Sequence, residues 1–140
     1  MISVRKQEVV KLENVLHLYQ AVGWTNYTHQ PQMLEKSLSH SLAIYLALDG
    51  EAIVGLVRLV GDGFSSVFVQ DLIVLPSYQR QGIGSALMKE ALRDFKDAYR
   101  VQLATDQTEK NLEFYRSLGF ETLSTYDCTG IIWVERKKIK

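Results

Sequence analysis

Apolar positions along the chain recur with one spacing and then with another, and each change of spacing marks an element. Ile2 to Lys6 alternates apolar and polar residues, the period of a short strand. From Leu12 onward the apolar residues Leu12, Val15, Leu16, Leu18, Tyr19 and Val22 fall at helical spacing, and Gly23 follows as a stop, which predicts a first helix. A polar loop with Trp24, Tyr27 and Pro31 comes next. Gln32 to Ser39, carrying Met33, Leu34 and Leu38, predicts a second, shorter helix.

Leu42 to Leu48 is apolar and runs into Asp49-Gly50, a dipeptide suited to the left-handed backbone of a tight hairpin, and Ala52 to Val60 resumes beyond it. Gly61-Asp62-Gly63 is a second turn signal, after which Ser66 to Leu75 predicts a third strand of the meander, stopped by Pro76. Ile83, Leu87, Met88, Ala91, Leu92 and Phe95 then line one face of a long amphipathic helix. Val101 to Ala104 reads as a short buried strand and Glu109 to Ser117 as a helix closed by Leu118-Gly119. Phe120 to Tyr126 and Gly130 to Arg136 read as a final strand pair.

This order predicts an α/β chain whose mixed, mostly antiparallel sheet has about seven strands flanked by about four helices, packed on both faces. The strand, long helix and strand from Leu72 to Ala104 form a βαβ unit, expected to cross over right-handed into a parallel pair. With 140 residues, 46% hydrophobic and 23% charged, the chain has the size and composition of one folded domain spanning 1–140. Lys plus Arg and Asp plus Glu both count 16, so no global field draws it to nucleic acid or to an anionic membrane. The basic run Arg136, Lys137, Lys138 and Lys140 is short enough to be a solvated end.

The single cysteine, Cys128, has no disulfide partner and no spacing mate for zinc, and reads as a small strand residue. His17, His29 and His40 are not at metal-ligand spacing, so their expected roles are structural or at the surface, and no metal is predicted. Neither a leader pattern nor a bilayer-length apolar stretch is present, which makes the cytoplasm the expected location.

The chemistry concentrates at Gln79-Arg80-Gln81-Gly82-Ile83-Gly84, between a strand and the long helix. Glycine there lets the backbone turn and approach a ligand, while a helix start offers unpaired amides and partial positive charge, a combination suited to a diphosphate. A nucleotide-hydrolysing P-loop needs Gly-Lys followed by Ser or Thr, and that triplet is absent from the sequence. A dinucleotide fingerprint needs a third glycine where this chain has Leu87, and no second βαβ half follows.

Gln79, Gly82 and Gly84, with the preceding Asp71-Leu72-Ile73-Val74-Leu75-Pro76 and the later Phe114-Tyr115-Arg116-Ser117-Leu118-Gly119-Phe120, resemble the Gcn5-related N-acetyltransferase family, and the order of elements along the chain agrees. The resemblance implies that amides from Arg80 through Gln81, Gly82, Ile83 and Gly84 to Ser85 hold the diphosphate of acetyl-coenzyme A. It also implies that the backbone of Leu72, Ile73 and Val74 pairs with the pantetheine, on a strand splayed from its neighbour by a bulge. Arg80 is either a charge-assisted phosphate contact or a solvated side chain.

Acetyl transfer to an amine requires a neutral nucleophile, since aliphatic amines titrate near pH ~10, together with a proton for the departing thiolate. By the resemblance, Tyr115 is the general acid; the alternative is a tyrosine packing with Phe114 and Phe120. Asn111, four residues earlier on the same helix face, is a cofactor-binding candidate. Family members often carry asparagine seven residues before the tyrosine, where this chain has Thr108. Asp71, expected on one strand face with Val69 and Ile73, is either the base or a structural carboxylate held by an arginine such as Arg58. Tyr78 and Gln70 are weaker candidates for the base.

The family builds its acceptor pocket from the loop between the first two helices and the final strand pair, which points to Trp24, Tyr27 and Trp133 as either substrate contacts or core and surface cover. The expected activity is direct transfer of acetyl from acetyl-coenzyme A to a primary amine on a small molecule, peptide or protein. A non-catalytic acyl-coenzyme A binding module is the alternative. Since family members often pair, a homodimer is among the expectations.

Overall fold

Strand pairing in the computed structural model, which describes residues 1–135, follows the sequence period closely through the first hundred residues. Five strands, β1 (Ile2–Lys6), β2 (Ala43–Asp49), β3 (Ala52–Gly61), β4 (Val67–Val74) and β5 (Val101–Leu103), form one sheet in the order β1-β2-β3-β4-β5. The first four are antiparallel, and β5 pairs parallel to β4 through the helical crossover. The helices are α1 (Leu12–Ala21), α2 (Thr25–Thr28), α3 (Pro31–Ser39), α4 (Ile83–Asp94) and α5 (Glu109–Ser117). The loop expected to hold Trp24 and Tyr27 thus contains the single helical turn α2.

Contacts divide the chain into two compact units, Met1–Leu103 and Ala104–Lys140, the second described as far as Glu135. In the first, the two faces of the sheet bury different helices. Ile44, Leu46, Leu48, Leu56 and Ile73 pack with Val15, Leu18, Tyr19, Leu34 and Leu38 of α1 and α3. On the other face, Tyr45 donates its hydroxyl to Asp94 at the end of α4 at 2.7 Å. Gly55 lets α4 approach there: a Cβ at Gly55 would lie 3.2 Å from Leu87 Cδ1 and 3.0 Å from the Ile73 carbonyl oxygen.

Two bulges break the strict alternation. One lies on β3 at Val54, between the pairs Ala47–Gly55 and Leu48–Ile53. The other is on β4 at Gln70, because Arg58 pairs with Asp71 and Leu59 with Val69. Arg58 and Leu59 are consecutive and face opposite sides, so the extra residue carries β4 from one face of the sheet to the other. Asp71 therefore shares its face with Ile73 but not with Val69, whereas simple alternation places all three on one face.

The largest departure lies in the second unit. Instead of a closing strand pair, Leu123–Tyr126 forms a 3-10 turn and the chain from Asp127 to Glu135 is irregular; Arg136 and the rest of the basic run lie outside the described residues. The sheet has five strands where about seven are expected. Local hydrogen bonding explains the first half: Thr122 Oγ1 sits 2.9 Å from Ser124 Oγ and 3.3 Å from Thr125 Oγ1, and Glu121 accepts from the Thr122 amide at 3.0 Å. Short hydroxyl side chains paired to their own neighbourhood compete with a ladder. Asp127, at φ 57°, then turns the chain left-handed, and Cys128 is exposed in the irregular stretch rather than in a strand. Among the described residues no helix is long and apolar enough to cross a membrane.

Candidate active site

From Arg80 to Gly82 the turn before α4 makes no side-chain hydrogen bond among the described residues. Arg80 and Gly82 both have positive φ, 66° and 77°, and Gly82 is the N-cap of α4, with no side-chain cap. The first helical bond runs from the Ala86 amide to the Gly82 carbonyl at 3.0 Å. Among the described residues, the six amides from Arg80 to Ser85 have no hydrogen-bond acceptor. Nothing lies within 4 Å of a Cβ placed on Gly82, so the space beside this N-cap is open. Unpaired amides at a helix start, with the positive end of the helix behind them, fit a diphosphate. The side chains of Arg80 and Gln81 are exposed and show no hydrogen bond that would commit them elsewhere.

The strand leading into the loop has one open edge. β5 pairs with β4 only from Val67 to Val69, so the pairing ends at the Gln70 bulge. Beyond it the Leu75 amide bonds to Val54 on β3 at 2.9 Å, and alternation therefore turns the main-chain groups of Leu72 and Val74 toward the open edge. Those of Ile73 face β3, where its carbonyl lies against Gly55. Gln79 donates its side-chain amide to the Val74 carbonyl at 3.1 Å, tying the loop to the end of the strand.

Behind the bulge lies the one buried ion pair among the described residues. Asp71 and Arg58 are only 2% and 4% exposed, and Arg58 Nε donates to Asp71 Oδ2 at 2.7 Å. Tyr19 donates to the same oxygen and Tyr27 to Oδ1, each at 2.8 Å. The remaining guanidinium nitrogens reach the Ser37 carbonyl, Ser41 Oγ and Tyr27 Oη. Burial, followed by the Asp71 charge, pushes the hydroxyls of both Tyr19 and Tyr27 above the ordinary tyrosine range. Burial by itself lowers the pKa of Arg58, but Asp71 overrides that and holds it above its usual value.

Trp24 and Tyr27 are both half-buried, and each meets Tyr19 edge-to-face, with ring centroids 6.1 and 5.1 Å away. The structure thus joins Asp71, Tyr27 and Trp24 in one cluster and adds Tyr19, which the helical pattern read only as core. The signal was the hydroxyl: a tyrosine on a fully buried face needs a polar partner, and Asp71 is the buried acid. Tyr78, by contrast, donates to Asp49 at 2.7 Å, and Gln70 is exposed, 3.5 Å from Tyr27 Oη. His17 and His40 bond to the carbonyls of Ile53 and Lys36 at 2.8 and 2.9 Å.

In the second unit Tyr115 is half-buried between Phe114 and Phe120, with centroids 4.9 and 5.8 Å away. Burial raises its pKa, and the Thr105 hydroxyl beside it pulls weakly the other way. Asn111 turns toward the same threonine, donating to Thr105 Oγ1 at 3.1 Å and to the Asp106 carbonyl at 3.2 Å. Thr108, the departure from the family pattern, is the N-cap of α5 and accepts from the Asn111 amide at 3.2 Å. Trp133 is 78% exposed and lies apart from any aromatic cluster of its unit.

The model of the acetyltransferase (GNAT) domain matches residues 40–122, a span containing the open strand, the amide loop and Tyr115. The chain belongs to the GNAT family. A GNAT family acetyltransferase from Streptococcus pneumoniae TIGR4 has 77% sequence identity over 97% of this chain and 99% of its own, with a TM-score of 0.90. GCN5-related N-acetyltransferase 1, chloroplastic, of Arabidopsis thaliana is 28% identical over 97% of this chain and 68% of its own length. Rice serotonin N-acetyltransferase 2, chloroplastic, is 30% identical over 65% of this chain, which spans 48% of that protein.

Proposed function

We propose that this GNAT chain transfers an acetyl group from acetyl-coenzyme A to a primary amine within a ternary complex. The observation that carries the reading is the run of six unpaired amides at the start of α4, beside a strand whose edge is open from the bulge onward. In this reading Arg80, Gln81, Gly82, Ile83, Gly84 and Ser85 bind the diphosphate through their amides. Leu72 and Val74 bind the pantetheine as an added strand partner, and Gln79 fixes the loop. Acetyl-coenzyme A supplies the activated thioester. Arg80 adds a charge-assisted contact.

Tyr115 is proposed as the acid that protonates the departing thiolate, since its raised pKa keeps the proton on the hydroxyl at neutral pH. Asn111 orders the Thr105 side of that residue. Trp24 and Tyr27 are proposed as the acceptor-side contacts, their aromatic faces suiting a cationic or aromatic amine; the rice relative is named for serotonin, an amine of that kind. Asp71 has two roles open to it. The geometry favours an anchor, because three donors and the Arg58 charge already stabilise the carboxylate. Acceptance of the amine proton by way of Tyr27 Oη is the second, and the same pairing opposes it.

Calorimetry with coenzyme A, followed by a thiol-release assay over a panel of amines, tests the reading. Binding together with turnover that falls about a hundredfold in Tyr115→Phe supports it. Binding without release for any amine class favours an acyl-coenzyme A binding module. Absence of binding overturns the loop assignment.

A further inference from the structure

The amides assigned to the diphosphate sit on a backbone that does not hold itself. Between Gln79 and the first turn of α4, Arg80 and Gly82 both turn left-handed, at φ 66° and 77°, and Arg80 is not a glycine. A residue with a Cβ disfavours that region, so the conformation persists only where its surroundings fix it. The turn supplies no such contact: among the described residues no side chain from Arg80 to Gly82 forms a hydrogen bond, and the amides from Arg80 to Ser85 have no acceptor. What fixes the turn therefore lies at its two ends.

The exit is α4. The entry is a 3-10 turn, Pro76–Tyr78, closed by the Tyr78 amide on the Leu75 carbonyl at 2.8 Å and the Gln79 amide on the Pro76 carbonyl at 3.3 Å. So short a turn is weak by itself. Two side chains tie it down. Gln79 reaches back to the Val74 carbonyl at 3.1 Å, a contact within the same stretch of chain. Tyr78 reaches out of it: the half-buried hydroxyl donates to Asp49 Oδ2 at 2.7 Å, 29 positions away. Asp49 closes β2 and pairs with Ile2 on one side and Ala52 on the other, so its carboxylate stands on an interior strand of the sheet. The other oxygen takes the amino group of Met1 at 3.2 Å, which leaves Oδ2 to Tyr78. The Tyr78 hydroxyl is also the main cause that holds the Asp49 carboxyl below the ordinary carboxylate range, so the acceptor is ionised at neutral pH and the bond is charge-assisted.

We propose that Tyr78 and Asp49 are positioning residues for coenzyme A: their bond anchors the entry of the amide loop to β2 and so keeps the donors from Arg80 to Ser85 aimed together. The proposal rests on the reading of that loop as the diphosphate site. Both residues act through the backbone of the loop, not as contacts of the ligand. A phenylalanine would supply the same ring at position 78; the hydroxyl is the group that reaches the carboxylate. Tyr78, a weak candidate for the base on sequence grounds, thus has a role in which it keeps its proton.

Calorimetry with coenzyme A and nuclear magnetic resonance of the free protein test it together. Tyr78→Phe removes the donor and Asp49→Ala the acceptor; each is expected to weaken binding about tenfold, and the double variant no further, because both changes remove one bond. Asp49→Asn keeps a carbonyl oxygen for the hydroxyl and is expected to bind within about threefold of the parent. Without ligand, backbone order at residues 80–85 should fall in Tyr78→Phe from S² of about 0.85 to below about 0.6, while α4 from Leu87 onward keeps the order of the parent. Tyr78→Phe binding like the parent overturns the proposal, and so do losses that multiply to about a hundredfold in the double variant. If the wild type binds no coenzyme A, the loop assignment falls, and loop order alone decides the brace: unchanged order in Tyr78→Phe overturns it. Should Asp49→Ala fail to fold, Tyr78→Phe and Asp49→Asn carry the comparison.

Discussion

Replacing Asp71 with asparagine removes one charge from a group 2% exposed and leaves its partner Arg58, 4% exposed, positively charged with no counterion. Asparagine retains one carbonyl oxygen but turns an amide donor toward at least one of three donors, the Tyr19 and Tyr27 hydroxyls and Arg58 Nε, now 2.7 to 2.8 Å from the carboxylate. Breaking a buried pair from one side costs about 3–5 kcal/mol. For a chain of this size that corresponds to a fall in melting temperature of roughly 10–15 °C, followed by circular dichroism. The companion variant Arg58→Met, Asp71→Leu removes both charges and fills the space with apolar atoms. It is expected to regain most of the loss, because the desolvation cost of the pair goes with it. The pair of measurements also separates the two roles of Asp71. A base lost in both variants leaves both inactive; an anchor restored by packing leaves the double variant active once an acceptor is known. Asp71→Asn melting within about 2 °C of the parent would refute the reading of this cluster as the buried anchor of α1 and α2.

Gly55→Val places a branched side chain where a Cβ already meets Ile73 O at 3.0 Å and Leu87 Cδ1 at 3.2 Å, and a loss of about 2 kcal/mol is expected in urea unfolding. Gly82→Ala, at φ 77° with nothing within 4 Å of its Cβ, should cost only about 1 kcal/mol of stability, and if the loop holds the diphosphate as proposed, resistance of alanine to the left-handed backbone should weaken coenzyme A binding about tenfold in calorimetry. Alkaline unfolding follows from tyrosines whose folded-state pKa is raised. The stability Tyr19 and Tyr27 contribute is complete below their ordinary pKa of ~10 and is lost as pH rises through the folded value, so the urea midpoint should be level up to about pH 10 and fall above it. Tyr19→Phe should flatten that fall; a midpoint unchanged at about pH 11 contradicts it.

Most of the first hundred residues were legible where two independent signals agreed; the single turn α2, read as loop, had neither. Period and punctuation both placed β2 and β3 around Asp49-Gly50, and α4 began where glycine and the apolar stripe required it. What alternation could not supply was the bulge at Gln70. A single extra residue has no composition of its own, yet it moves Asp71 onto the face of Arg58, Tyr19 and Tyr27 and marks the end of pairing between β4 and β5. The acid was therefore visible in the sequence while its partners were only partly so, since those lie up to 52 positions away.

The segment from Phe120 to Glu135 shows the opposite failure. Its residues have strand character, and Ile131 to Val134 has it on both faces, but a strand is a property of a neighbour as much as of its own sequence. Pattern measures what a segment is suited to bury; whether the partner is its own sheet or another chain is not encoded in the period. The amide loop needs no distant partner to gather its donors, because they belong to consecutive residues held by one helix start. In the proposed function recognition of the donor is local and carried by backbone, whereas Tyr115 stands in the second unit, where no described residue is fully buried. If Tyr115 is the acid of the proposed reaction, Tyr115→Phe should lower turnover while leaving calorimetric binding of coenzyme A by the loop unchanged.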